Sequence, residues 1–225
     1  MASQFPDDRP THVTPPASGG TGLVERVKGI ITSPKTEWPR IDAEPATERD
    51  LYMRYVLPLA AIPAVAGLIG QLAFPPRVFG VVVRTSPVSA VVAALVSFAM
   101  AFVAVFVIAR IVDALAPTFN ARKGIVPATK LVVFASVPAW VAGVFNLIPA
   151  LGALAVLIAS VYGLYLLYLG LPVLMKSPAD KTVPYLAVTI VVAIVVMLVI
   201  GIVTGIVAAA LGSLFAPTMG TVTIS

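Results

Sequence analysis

Apolar residues fall into long unbroken runs divided by short polar or proline-bearing breaks, and each run predicts one element. The first, 55–73, is entered through Thr47-Glu48-Arg49-Asp50, a capping-box pattern, and Phe74-Pro75-Pro76 ends it. The second covers 88–112 and is closed by Pro117. The stretch 131–175 holds no charged side chain. As one helix it would be about 67 Å long, roughly twice the hydrocarbon thickness, so it must fold back. Asn146-Leu147-Ile148-Pro149-Ala150-Leu151-Gly152 carries its turn chemistry, which predicts spans 131–148 and 153–175. The last run, 184–212, has Pro184 placed for a first helical turn. Five runs of roughly 20 apolar residues predict five spanning helices, and the alternation of a membrane barrel is absent.

The segments outside the runs read differently. Residues 1–20 are rich in Pro, Ser, Thr and Gly without apolar period, which predicts a disordered tail. They lack a basic start followed by an apolar core, so a cleaved signal peptide is not expected and the first run should stay as an anchor. Residues 21–54 form a cytosolic or interfacial segment, and 213–225 an extracytoplasmic tail. Within the former, Leu23, Val24, Val27, Ile30 and Ile31 fall on an arc of about 120° of a short amphipathic helix, opposite Glu25, Arg26, Lys28 and Gly29. Thr21 is placed to cap it and Pro34 to stop it. Such a stripe is supported either by the bilayer interface or by the protein's own helix ends, and Trp38 fits an interfacial aromatic.

Composition sharpens the class. Of 225 residues 59% are apolar and 11% charged, too few charges to cover a water-soluble surface. With no cysteine, disulfides, thiolate metal sites and cysteine nucleophiles are excluded, and the single His12 lies in the tail, so no metal or cofactor is expected. The net charge of +5 is placed unevenly. Arg9, Arg26, Lys28, Lys35, Arg40, Arg49 and Arg54 precede the first run, Arg110, Arg122, Lys123 and Lys130 flank the second loop, and Lys176 and Lys181 the fourth. Only Arg77 and Arg84 fall on the other side. This bias predicts a cytoplasmic N-terminus and an extracytoplasmic C-terminus. Excess positive charge on so apolar a chain points to anionic lipid headgroups and not to nucleic acid.

Ionisable groups at membrane depth are candidates for function. Arg110 and Asp113 share a face near the inner end of the second span, and Lys130, Tyr168 and Lys176 reach the same level. Together they form a candidate inner-face site for a ligand or lipid headgroup; the plainer reading is snorkelling and local pairing. Tyr162, Tyr165 and Tyr168 share one side of the fourth span, as a polar lining or a packed aromatic face. Pro58, Pro63, Pro138 and Pro172 each remove a ladder bond and predict kinks. Gly201, Gly205 and Ala209 form a small-residue helix-packing seam, either internal or between copies in a homo-oligomer. No acidic pair and no nucleophile with a base lies in the spans, so catalysis is not expected.

LVERVKGIITSPKTEW, LYMRYVLPLAAIPAVAGLIG, DALAPTF, ATKLVVFASVPAWVAG and YGLYLLYLGLPVLMKSPADK occur in the order found in bacterial members of the Yip family, which the chain resembles over about 190 residues. The resemblance implies an all-α five-helix transmembrane bundle in a bacterial cytoplasmic (inner) membrane with its N-terminus in the cytosol. Eukaryotic relatives interact with Ypt/Rab GTPases, but their long N-terminal regions have no counterpart here, so that partner does not carry across. The expected function is a non-enzymatic membrane-organising or partner-binding protein acting through its cytosolic face, on the lipid bilayer or an unidentified membrane or cytosolic protein. The alternative is a small transporter or channel for an ion or small solute.

Overall fold

The protein was analysed as a computed structural model, which describes residues 22–74, 77–78, 81–82 and 86–214. The tail 1–20, the cap expected from Thr21 and residues 215–225 lie outside the described residues. The chain forms α1 (Leu23–Thr32), α2 (Pro34–Ala43), α3 (Glu48–Leu51), α4 (Leu57–Ala73), α5 (Pro87–Leu115), α6 (Ile125–Ala142), α7 (Pro149–Leu174) and α8 (Ala179–Leu214). A two-residue antiparallel pair, β1 (Arg77–Val78) and β2 (Val81–Val82), lies between α4 and α5. Five helical segments are long and apolar enough to cross a membrane, the first running continuously from Glu48 to Ala73.

Local chemistry sets the boundaries. The capping box forms as read: Asp50 N donates to Thr47 Oγ1 at 3.1 Å and Thr47 N to Asp50 Oδ2 at 3.0 Å, so the first span begins at Glu48, before the apolar run. Pro58 has no N–H for the carbonyl of Arg54, and the turn just before it widens into a π-helix, Tyr52–Val56, closed by Leu57 N on Tyr52 O. Pro117 tightens the end of the second span into a 3-10 turn, Ala116–Phe119, and Asn120 stops it at φ 54. α6 passes through a 3-10 segment, Gly143–Leu147, and Ile148 turns the chain into α7. Pro184 does not open the fifth span. α8 starts at Ala179 and holds Pro184 inside, because Thr182 and Lys181 already bond back to Pro178 O, and Thr182 Oγ1 also donates there at 2.9 Å.

α6 is the central helix: half of its best apolar window is buried, against 6% for α8. α7 packs along α6, and α8 along α5. Gly163 allows the close approach of α6 and α7, since a Cβ there would lie 2.6 Å from Ala135 O. The dense core sits at one end of the bundle, where Trp38 meets Phe134 edge-on at 6.4 Å, Tyr55 meets Phe134 at 4.8 Å, and Tyr185 stacks on Phe119 at 4.9 Å. Toward the other end side chains face outward in an apolar belt, from Leu57 to Phe74 on α4 and from Leu151 to Leu164 on α7.

Candidate functional site

The element that the apolar pattern did not reveal is α2. Pro34 does stop α1, but it stands at the first position of a second helix, as proline can. α1 and α2 therefore make a helical hairpin that folds onto the dense end of the bundle. The stripe of α1 packs on the protein itself: Ile30 is fully buried, Val27 and Ile31 are half-buried against the core, and only Val24 points out. Trp38 is not interfacial. It is fully buried, seated against Gly170, where a Cβ would lie 2.9 Å from the indole and 2.5 Å from Leu131.

Three contacts give the register of the hairpin along α7. Tyr162 Oη donates to Ile31 O at 2.7 Å, Trp38 lies at Gly170, and Lys176 Nζ pairs with Asp42 at 2.6 Å. α2 thus runs down α7 from the level of Tyr162 to its end at Leu174, about 18 Å. The exposed Tyr165 and Tyr168 mark where an aromatic belt would sit, so the hairpin tip reaches past them toward the apolar zone.

A charged seam locks the hairpin. Arg26, read as part of the polar side, is buried and forms ion pairs with Glu37 and Glu44. Burial works against its charge, but Glu44, Tyr55 and Glu37 outweigh it and raise the guanidinium pKa above the ordinary arginine value. Lys130, buried on α6, donates to Ile41 O at 2.7 Å and Glu44 O at 2.5 Å, so its ammonium caps the carbonyl end of α2. What could have been seen in the sequence is the acidic set Glu37, Asp42, Glu44 and Glu48, opposite Arg26, Lys130, Lys176 and Arg110 in the final pairing. Their spacing carries no period, so only tertiary proximity links them.

The five candidate site residues do not converge. Arg110 pairs with Glu48 at 3.2 Å and covers Phe106 at 4.9 Å, and Asp113 accepts from Gly124 N at 2.6 Å. Arg110 and Asp113 therefore serve different neighbours and not each other. Lys130 and Lys176 hold the hairpin, and Tyr168 faces outward. Only Lys130 lines the cavity at this end, ≈ 90 Å³ between Glu44, Arg54, Tyr55 and Phe134, well below the ~300 Å³ at which small-molecule sites begin. The tyrosine face also divides, with Tyr162 turned to Ile31 and Tyr165 and Tyr168 exposed.

The small-residue seam makes no close helix contact, and its Gly201 borders a cavity between α5, α6 and α8. A Cβ at Gly201 or Gly205 would meet nothing within 4 Å, and both glycines and Ala209 are exposed. α8 packs on α5 through other faces. No group of three or more His, Cys, Asp or Glu able to hold a metal ion occurs among the described residues.

The architecture is that of an all-helical polytopic membrane protein with five spans and an N-terminal hairpin on one end. The Yip1 domain family model matches residues 28–201, most of the hairpin and four and a half of the spans. The chain belongs to the Yip1 domain family. No curated protein and no solved structure matches it.

Proposed function

We propose that this protein is a non-enzymatic membrane-organising protein whose working element is the α1–α2 hairpin. The carrying observation is that the hairpin is closed on itself by Arg26 and locked to the bundle by Lys130, Asp42 and Trp38 while its tip reaches the level of Tyr162. A rigid helical pair at that depth adds volume to one leaflet only, and its outer face presents Glu25, Lys28, Lys35 and Arg40 to headgroups or to a protein partner. The charge bias between loops supports a cytoplasmic hairpin and an extracytoplasmic C-terminus, and the family resemblance supports a bacterial cytoplasmic membrane.

Reconstitution tests this reading. Wild-type protein in vesicles of mixed neutral and anionic lipid should reduce vesicle diameter in electron micrographs. A Lys130→Met/Arg26→Met variant, whose hairpin becomes open to trypsin at Lys28 and Lys35, should not. Unchanged vesicle shape with the wild type, or specific solute flux across the bilayer, would replace the proposal with a transport role.

A further inference from the structure

The bundle is less tightly packed where the hairpin does not cover it, and two of the cavities there carry polar side chains on mainly apolar walls. One cavity of ≈ 400 Å³ lies between α5, α6 and α8, and a second of ≈ 350 Å³ lies between α4, α5 and the α6–α7 turn. Both are lined by Ser97 and Ala101, so they adjoin across one turn of α5. Each is within the ~300–1,000 Å³ range of small-molecule sites. Neither lining contains an ionisable side chain.

Polar side chains border this chamber, all but Ser97 half-buried. Gln71, Asn146, Trp140 and Thr204 line it, and none of their side chains has a hydrogen bond to another described residue. Ser97 and Ser136 spend their hydroxyl protons on Ala93 O at 2.6 Å and Val132 O at 2.8 Å, which leaves only their acceptor lone pairs free. Half-buried amides with no partner of their own are free to bond a group that enters the chamber. The two amides, Gln71 and Asn146, border the same cavity and point to an occupant whose polar part sits between them.

The distribution of groups orients that occupant. Gln71, near the end of α4, and Asn146, at the α6–α7 turn, sit where the bundle meets its outer surface. The deeper wall is apolar, with Val105, Ile108, Val132, Met197 and Ile200. A third cavity, ≈ 260 Å³ and wholly apolar in its lining, borders the second through Ala64, Leu68 and Ala94, so lipid chains have a lateral way in between α4 and α5. Gly67 and Gly201 border open space, since a Cβ on either meets nothing within 4 Å.

We propose that this chamber binds an uncharged amphiphile: a hydrogen-bonding neutral head held by the Gln71 and Asn146 amides, with its acyl chain lying along Ser97 and Trp140 between α5, α6 and α8. A charged headgroup finds no counter-ion there, and an ion finds no ligand set. The chamber runs from the level of Val132 to the α6–α7 turn, no hairpin residue lines it, and its occupancy does not depend on what the hairpin does.

Photoactivatable diacylglycerol, with a diazirine on its acyl chain, tests this on the full-length protein in nanodiscs. Crosslinks should map to α5 around Ser97 or α8 around Gly201. Gly201→Phe and Ala101→Phe, which fill the chamber, should cut labelling at least tenfold, and Gln71→Leu about fivefold, one hydrogen bond's worth. Val161→Phe, on the outward face of α7, should leave it unchanged. Excess unlabelled diacylglycerol should compete in the wild type, a readout that needs no variant to fold. Equal labelling by a phosphatidylserine probe, labelling indifferent to the filling variants and to competitor, or reaction of Ser97→Cys with an impermeant thiol reagent in lipid-replete membranes would overturn the proposal, the last by showing a water-filled chamber.

Discussion

Replacing Arg26 by Ala removes the one cation shared by Glu37 and Glu44. Glu37 is the group most affected by this change: its side chain is 5% exposed, and its only other cation among the described residues is Arg40 at 3.4 Å, itself 71% exposed. Glu44, at 29% exposure, can turn to water. Breaking a buried pair from one side costs about 3–5 kcal/mol because the remaining charge is uncompensated. With Arg40 recovering a fraction for Glu37, the low end applies, about 3 kcal/mol, or roughly a hundredfold in the closed-to-open ratio of α1 on α2. Removing both ends in Arg26→Met/Glu37→Met abolishes the stranded charge, so this variant should regain most of the loss. The assay is the rate of tryptic cleavage at Lys28 and Lys35 under conditions where cleavage follows the open population. Cleavage of Arg26→Ala at the wild-type rate, or a double variant as labile as the single one, would refute the reasoning that a buried charge pair holds α1 against α2.

Gly170→Ala should destabilise the protein by about 1–3 kcal/mol, read as a lower melting temperature, since its Cβ would press on both Trp38 and Leu131. Trp38→Ala should cost about 3–5 kcal/mol and expose the same tryptic sites, because it empties the centre of the hairpin contact. Gly205→Leu should leave monomer stability unchanged in detergent, as open space surrounds that Cβ; a melting shift would mean that α8 packs more closely than its 6% burial indicates. In the chain without native cysteine, Ala121→Cys and Ala179→Cys should be shielded from an impermeant reagent in intact cells and Ser86→Cys should label; the reverse pattern would invert the proposed topology.

The sequence by itself determined the membrane class, the five spans and their capping chemistry. Hydrocarbon accepts only closed barrels or helices of about 20 apolar residues, the chain lacks barrel alternation, and Thr47 with Asp50 or Pro117 with Asn120 act on their own turns. Composition and local hydrogen bonding are properties of short segments, so both can be read along the chain. Where the read failed, the cause was long-range. Pro34 looks the same whether it ends a helix or begins the next, and Pro184 whether it opens α8 or sits inside it. Trp38 looks interfacial until Gly170 leaves room for it, and Arg26 looks solvated until Glu37 and Glu44 arrive from a second helix. The candidate site suffered most, because Arg110, Asp113, Lys130 and Lys176 share a depth but not a direction, and depth is all that position in a span conveys. The facing of Gly201 was equally open, since small residues permit a contact without supplying one. Tertiary structure decided these pairings because electrostatic and packing partners lie up to 134 residues apart, and nothing in the local pattern constrains which of them meet.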